Sequence, residues 1–205
     1  MVNKYEQLAE YVYKRLKKNE SNQNSTHLKL TFIGKGATAY VYKIAHTSFV
    51  LKVFLPKYAY LAEEEGKMYE RLKGIPYYPS VHEIGAYYIV IDYIEGTTLF
   101  ECLMKGIRVK ELWIKEVDRA ILLGIERGVN PSDIHLKNII LTTNEEIKLI
   151  DLARFGQKEK CRKWSDLKHV YYKIYCKPYF PIKINSVILD SIRIIYKHIF
   201  LKIVK

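Results

Sequence analysis

Between Asn130 and Asp151 the chain carries a pattern that few folds accommodate. A polar loop, Asn130-Pro131-Ser132-Asp133-Ile134-His135-Leu136-Lys137-Asn138, runs into two short apolar segments, Ile139–Leu141 and Ile147–Ile150, split by a turn at Thr143-Asn144. The two segments predict a hairpin. Asp133 and Asn138 stand five positions apart at its entrance, and Asp151 stands at its exit. Three oxygen-bearing side chains ordered around one hairpin suit a hard cation that shares phosphate oxygens, and a carboxylate that takes a proton from a hydroxyl. The same residues also suit a loop cap at Asp133 and a plain strand end at Asp151.

The chain on either side of this hairpin changes texture. Before it, Leu28–Ile33, Ala39–Ala45 and Ser48–Phe54 predict three antiparallel strands, and Val81–Ile84 with Tyr87–Ile91 predict two more. Residues 57–73 carry Leu61, Met68, Tyr69 and Leu72 on one stripe and predict a helix, stopped by Gly74 and Pro76. Residues 97–127 read as mostly helical, ended by Gly128, and the chain turns helical again from 164. Ahead of all this, residues 4–18 predict an amphipathic helix with Tyr5, Leu8, Val12 and Leu16 on one side, followed by a polar linker over 19–26. The order predicts an α+β chain of two lobes, β-rich then mostly helical, with a ligand cleft between them.

Composition narrows the function classes. With 205 residues, 49% of them hydrophobic and 27% charged, the chain is long enough to bury a core as one domain. The three cysteines are widely spaced with no C-x-x-C, which predicts neither a disulfide framework nor a zinc site and fits a reducing cytoplasm. The first residues carry charges throughout, unlike a secretory leader, and no stretch has the uncharged length of a membrane span. Net charge is +12, of which residues 151–205 hold +9. Such a surface attracts polyanions, nucleotide phosphates and acidic membranes or partners alike. In Ile182–Lys205 an isoleucine stripe with interleaved Lys and Arg predicts a terminal helix. That helix either packs on the second lobe or lies on an acidic lipid surface. No nucleic-acid-binding motif accompanies the charge.

Two further features carry chemistry. Gly34-Lys35-Gly36-Ala37-Thr38-Ala39-Tyr40-Val41 joins two predicted strands. It reads either as a plain hairpin turn or as a backbone that approaches phosphate closely. Lys52 lies inside the apolar run Phe49–Phe54, either as an edge residue or as an ammonium held by a carboxylate over phosphates. Glu63, Glu64 and Glu65 are offered by the next helix. Glu65 shares the stripe of Tyr69 and Leu72, so it faces inward.

These elements, in this order, resemble the protein-kinase-like superfamily over about residues 28–170. The texture is nearest to its RIO-like and lipopolysaccharide-kinase-like group and to short bacterial serine/threonine kinases. The resemblance implies a single kinase-like domain, with residues 1–27 as helix and linker, 28–96 as the first lobe and 97–205 as a reduced second lobe. It implies ATP and Mg²⁺ as cofactors and a phosphotransferase acting on a hydroxyl of an unidentified protein or small molecule. Gly34, Lys35, Gly36, Ala37 and Val41 would then cover the phosphates. Lys52 with Glu65 would hold them, and Asp92, Tyr93 and Ile94 would receive adenine. Asn138 and Asp151 would bind the metal, and Asp133 would be the base. Departures are Ala39 for a third glycine, Pro131-Ser132 ahead of Asp133, and His135 where a lysine often stands, with Lys137 nearby as its substitute. Leu152-Ala153 follows Asp151, no A-P-E follows, and 54 residues remain. These departures leave open a pseudokinase scaffold or a sugar kinase.

Overall fold

The computed structural model describes residues 3–18 and 29–185. Helix α1 (Lys4–Lys17) starts where the Asn3 side chain accepts the Tyr5 N–H at 3.2 Å, and it ends in Lys14, Arg15 and Lys17, which complement the carbonyl end of its dipole. Five strands follow: β1 (Leu30–Lys35), β2 (Ala39–Ile44), β3 (Phe49–Phe54), β4 (Val81–Ile84) and β5 (Tyr88–Asp92). They pair antiparallel in the order β1-β2-β3-β5-β4.

Strand alternation decides what each face of this sheet does. Tyr40, Tyr42, Leu51, Val53, Tyr88 and Val90 point one way and are sealed by Leu8, Ala9, Val12 and Leu16 of α1. Val50, Phe54, Ile89 and Ile91 point the other way, into the main core. Lys52 has the parity of Val50 and Phe54, so its side chain enters the interior, where it is 7% exposed.

Helix α2 (Leu61–Arg71) covers that inner face with Ala62, Glu65, Gly66, Met68 and Tyr69. A Cβ at Gly66 would lie 2.6–3.0 Å from three side-chain atoms of Ile84 on β4. This glycine therefore sets how closely α2 approaches the sheet, next to the glutamate it presents. Gly66→Ala gains about 1 kcal/mol of helix propensity and incurs overpacking of about 1–3 kcal/mol. We expect a lower Tm in thermal unfolding together with lower turnover; a Tm above wild type with full activity would refute this packing argument.

The second half holds a three-stranded antiparallel sheet, β6 (Gly96–Thr98), β7 (Ile139–Thr142) and β8 (Ile147–Leu149), in that order. Around it lie α3 (Leu99–Lys105), α4 (Glu111–Glu126) and α5 (Lys163–Val170), and α5 runs into a π turn at Tyr171–Tyr175. The main core is continuous from Phe54 and Tyr69 through Leu99, Trp113 and Ile139 to Leu152 and Phe155. The architecture is mixed α and β, with a β-rich first part and a largely helical second part.

The structure refines three expectations on elements. The mostly helical stretch 97–127 holds two helices, α3 and α4, parted at Gly106, whose φ of 76° is a conformation that glycine adopts without strain. Gly96–Thr98 is a strand, although Thr97 and Thr98 fall in the stretch read as mostly helical. Its glycine lets the chain pass so close to β7 that a Cβ would lie 2.3 Å from the Leu141 carbonyl oxygen. The helix expected from 57 starts at Leu61, after a 3₁₀ turn over Pro56–Tyr58. The linker over 19–26 and, apart from the irregular Ile182–Asn185, the basic terminal helix lie outside the described residues.

Candidate active site

The centre of the site is a buried ion cluster. Lys52 Nζ lies 2.8 and 2.7 Å from the two carboxylate oxygens of Glu65 and 2.8 Å from Asp151 Oδ1. Glu65 is fully buried, whereas Glu63 and Glu64 are exposed, Glu63 pairing with Lys67. Glu65 also accepts the Leu152 N–H at 3.2 Å, and Tyr69, one turn further along α2, takes the Asp151 N–H at 3.3 Å. One helix thus fixes both the lysine and the chain around Asp151.

The charges are coupled. Burial pushes the Glu65 carboxyl up to about 7, against the pull of Lys52. Burial disfavours the Lys52 ammonium, but the carboxylates of Glu65 and Asp151 outweigh it and hold the lysine protonated well above its ordinary range. The Lys52 charge holds Asp151 below the usual carboxylate range. One ammonium contacts both carboxylates, and the Arg154 charge adds a smaller pull on Asp151.

Asp133 approaches from the other side. Its φ is +60° and that of Asp151 is +63°, the left-handed region that non-glycine residues occupy at a cost of about 1–3 kcal/mol. The loop is closed by the Asn138 N–H to the His135 carbonyl at 2.8 Å, and by the Asn138 side-chain amide to the Asp133 carbonyl at 3.5 Å. Ile150 N–H then donates to the Asn138 carbonyl at 3.0 Å, joining loop and hairpin. His135 is held below its ordinary value, chiefly by burial, so its imidazole is neutral near pH 7.

The loop's substitute lysine goes elsewhere. Lys137 Nζ lies 4.1 Å over the Phe100 ring, while the ammonium that contacts Asp133 Oδ1 belongs to Lys163, the first residue of α5. Sequence reasoning missed Lys163. It sits in a basic run, Lys158 to Lys163, in which nothing distinguishes it from its neighbours.

Gly34, Lys35, Gly36, Ala37 and Val41 form the β1–β2 hairpin, closed by the Gly36 N–H to the Ala39 carbonyl at 2.9 Å. Val41 pairs with Lys52 across β2 and β3, so the strand that leaves the glycine turn runs beside the lysine. A Cβ at Gly34 would meet nothing within 4 Å. At the end of β5, the Asp92 carboxylate is taken up by the Ser80 N–H (2.8 Å) and His82 Nε2 (2.6 Å). These bonds outweigh the effect of burial and hold it below the usual carboxylate range. The Asp92 N–H donates to Ser80 O and the Tyr93 N–H to Ser48 O. Ile94 N–H makes no backbone hydrogen bond among the described residues.

Among the described residues no helix is long and apolar enough to cross a membrane. No family model matches the chain. Over 96% of its length it is 40% identical to the "Putative serine/threonine-protein kinase YrzF" of Bacillus subtilis and spans 93% of that protein. With that identity across nearly all of both chains, the chain belongs to the same kinase-like family.

Proposed function

We propose that the protein is an ATP- and Mg²⁺-dependent phosphotransferase that moves the γ-phosphoryl group to a hydroxyl, that of a protein serine or threonine. The observation that carries this reading is the Lys52 ammonium buried between Glu65 and Asp151, three residues from a strand, a helix and a hairpin exit. A buried charge cluster of this kind is weak support for stability alone and is more economically explained by use. On this reading the five-stranded sheet with α1 and α2 is one lobe, the helical part is the other, and the nucleotide lies between them. The name of the Bacillus subtilis relative, a serine/threonine-protein kinase, supports the protein acceptor. Texture alone keeps the RIO-like and lipopolysaccharide-kinase-like group as the nearest subgroup.

The donor set fits magnesium brought in with nucleotide. Among the described residues no group of three or more His, Cys, Asp or Glu can hold a metal by itself. The cation therefore needs oxygens from its own phosphates, and Asn138 with the half-exposed Asp151 carboxylate supplies the protein's share.

The remaining roles follow from position. The Ile94 N–H, without a backbone partner among the described residues, receives adenine, and the β1–β2 hairpin lies above the phosphates. Lys52 exchanges Asp151 for phosphate oxygens while Glu65 holds it in place. Asp133 orients the acceptor hydroxyl and takes its proton as the acceptor oxygen bonds to the γ-phosphorus and the bond to the β-phosphate oxygen breaks, releasing ADP. Most of the acceleration is positioning and charge neutralisation.

ADP formation measured against Mg²⁺ concentration tests this. We expect Mg²⁺-dependent turnover in the wild type and a requirement for about 10–100-fold more Mg²⁺ in Asp151→Asn. Protein that binds MgATP without ever forming ADP is a binding scaffold instead. Protein that binds no nucleotide removes the reading altogether.

A further inference from the structure

We infer that Lys163 is a catalytic residue, the ammonium that meets the transferring phosphoryl group from α5. The inference rests on the phosphotransferase reading above and adds to it a cation that the loop carrying Asp133 does not provide. In that loop His135 is neutral near pH 7 and Lys137 is turned onto Phe100. Lys52, held by Glu65, meets the phosphates from the strand side and not from the side of Asp133. Negative charge spreads over the phosphoryl oxygens during transfer and needs a counter-charge on the acceptor side, where Asp133 stands.

Lys163 is built into place rather than left on a mobile arm. Trp164, its neighbour in α5, is buried and donates its indole N–H to Asp118 Oδ1 on α4 at 2.7 Å. Lys168, one turn further along α5, pairs with the same carboxylate at 2.8 Å. Between Asp151 and α5 the chain folds back onto the start of the loop. Asn130 donates its backbone N–H to Phe155 O at 2.9 Å, and its side chain to Gln157 O at 2.8 Å and Glu159 O at 3.0 Å. The Asp133 N–H then donates to Cys161 Sγ at 3.4 Å. This short return path delivers the lysine to the carboxylate, where longer segments in other kinases rely on phosphorylation to order the site. The Lys163 side chain is 44% exposed and that of Asp133 31%, so the pair opens onto solvent where an acceptor arrives.

In the free protein Lys163 rests on Asp133 Oδ1. With MgATP bound it contacts a γ-phosphoryl oxygen. The acceptor's proton goes to Asp133, and ADP leaves with the electrons of the broken phosphorus–oxygen bond. Asp118 is a positioning residue, acting through α5.

The test is displacement of a fluorescent nucleotide by MgATP and by MgADP, with ADP formation measured in parallel, for wild type, Lys163→Met, Lys163→Arg and Asp118→Asn. Lys163→Met should form ADP about 10²–10³-fold more slowly. It should also lose the wild-type preference for MgATP over MgADP while keeping its affinity for MgADP. Lys163→Arg should restore part of both losses. Asp118→Asn should lower kcat with little change in the KM for MgATP. Lys163→Met that keeps the wild-type nucleotide preference and rate overturns the inference and leaves the phosphotransferase reading standing, as does a Lys163→Met faster than wild type. Wild-type protein that binds neither nucleotide overturns both.

Discussion

Lys52→Met should abolish MgATP-dependent turnover, with a loss of at least about 10²–10³-fold, and should lower stability by about 3–5 kcal/mol near pH 8. Methionine preserves the length and the packing against Phe54, over whose ring the ammonium lies at 5.2 Å, so the loss is one of charge. It leaves Glu65, fully buried, facing Asp151 with no cation between them. The pH dependence identifies the cause. The folded-state value of Glu65 is already raised to about 7, so folded protein binds that proton more tightly than unfolded protein. Its contribution therefore weakens as pH rises from the ordinary carboxyl range through 7. Without Lys52 the value rises further, and a proton substitutes for the ammonium at low pH. The stability gap between wild type and variant should therefore widen from pH 6 to pH 8 in urea unfolding. A gap that is constant or narrows with rising pH would mean that Glu65 and Lys52 are not coupled in the folded protein. The same proton predicts that wild-type turnover declines below about pH 7, as Glu65 neutralises and releases its hold on the lysine.

The parts of this site that were legible in the sequence are those fixed by short-range periodicity. Val50-x-Lys52-x-Phe54 places the lysine on the core face because a strand alternates. Glu65 is picked from three glutamates because it shares a helical stripe with Tyr69 and Leu72. Asp133, Asn138 and Asp151 are ordered by the hairpin between them. What was not legible depends on contacts between distant segments. Lys163 reaches Asp133 only because the chain after Asp151 folds back onto Asn130, and no periodicity relates those residues. The strand Gly96–Thr98 is three residues long, too short to show alternation, and it exists because β7 offers it an edge. The start of α3 was signalled all along. Thr98 and Glu101 exchange the reciprocal hydrogen bonds of a capping box, a local pattern overlooked beside the long apolar run that follows. The function of α1 is likewise a matter of tertiary contact: its stripe is plain in the sequence, but the sheet face it seals is not.

Asp133→Asn should still bind MgATP and lower turnover by about 10²–10⁴-fold. Asparagine is the informative replacement because of the backbone. With φ at +60°, this position favours Asn and Asp over most other side chains. The bonds that fix the loop here run through the residue's own backbone, its N–H to Cys161 and its carbonyl to the Asn138 side chain, and survive the change. The variant should therefore unfold at nearly the wild-type temperature. Two things are lost. The amide orients a hydroxyl but cannot take its proton, which accounts for the rate. The counter-charge of Lys163 is also removed, which leaves the ammonium to the γ-phosphoryl and tightens MgATP relative to MgADP. Asp133→Asn and Lys163→Met should thus move the nucleotide preference in opposite directions while both slow the reaction. A merely structural ion pair at this position would predict the same loss from either side and no change in preference. Turnover in Asp133→Asn within a few-fold of wild type would mean that the acceptor's proton leaves by another route and that the carboxylate serves α5 rather than the chemistry.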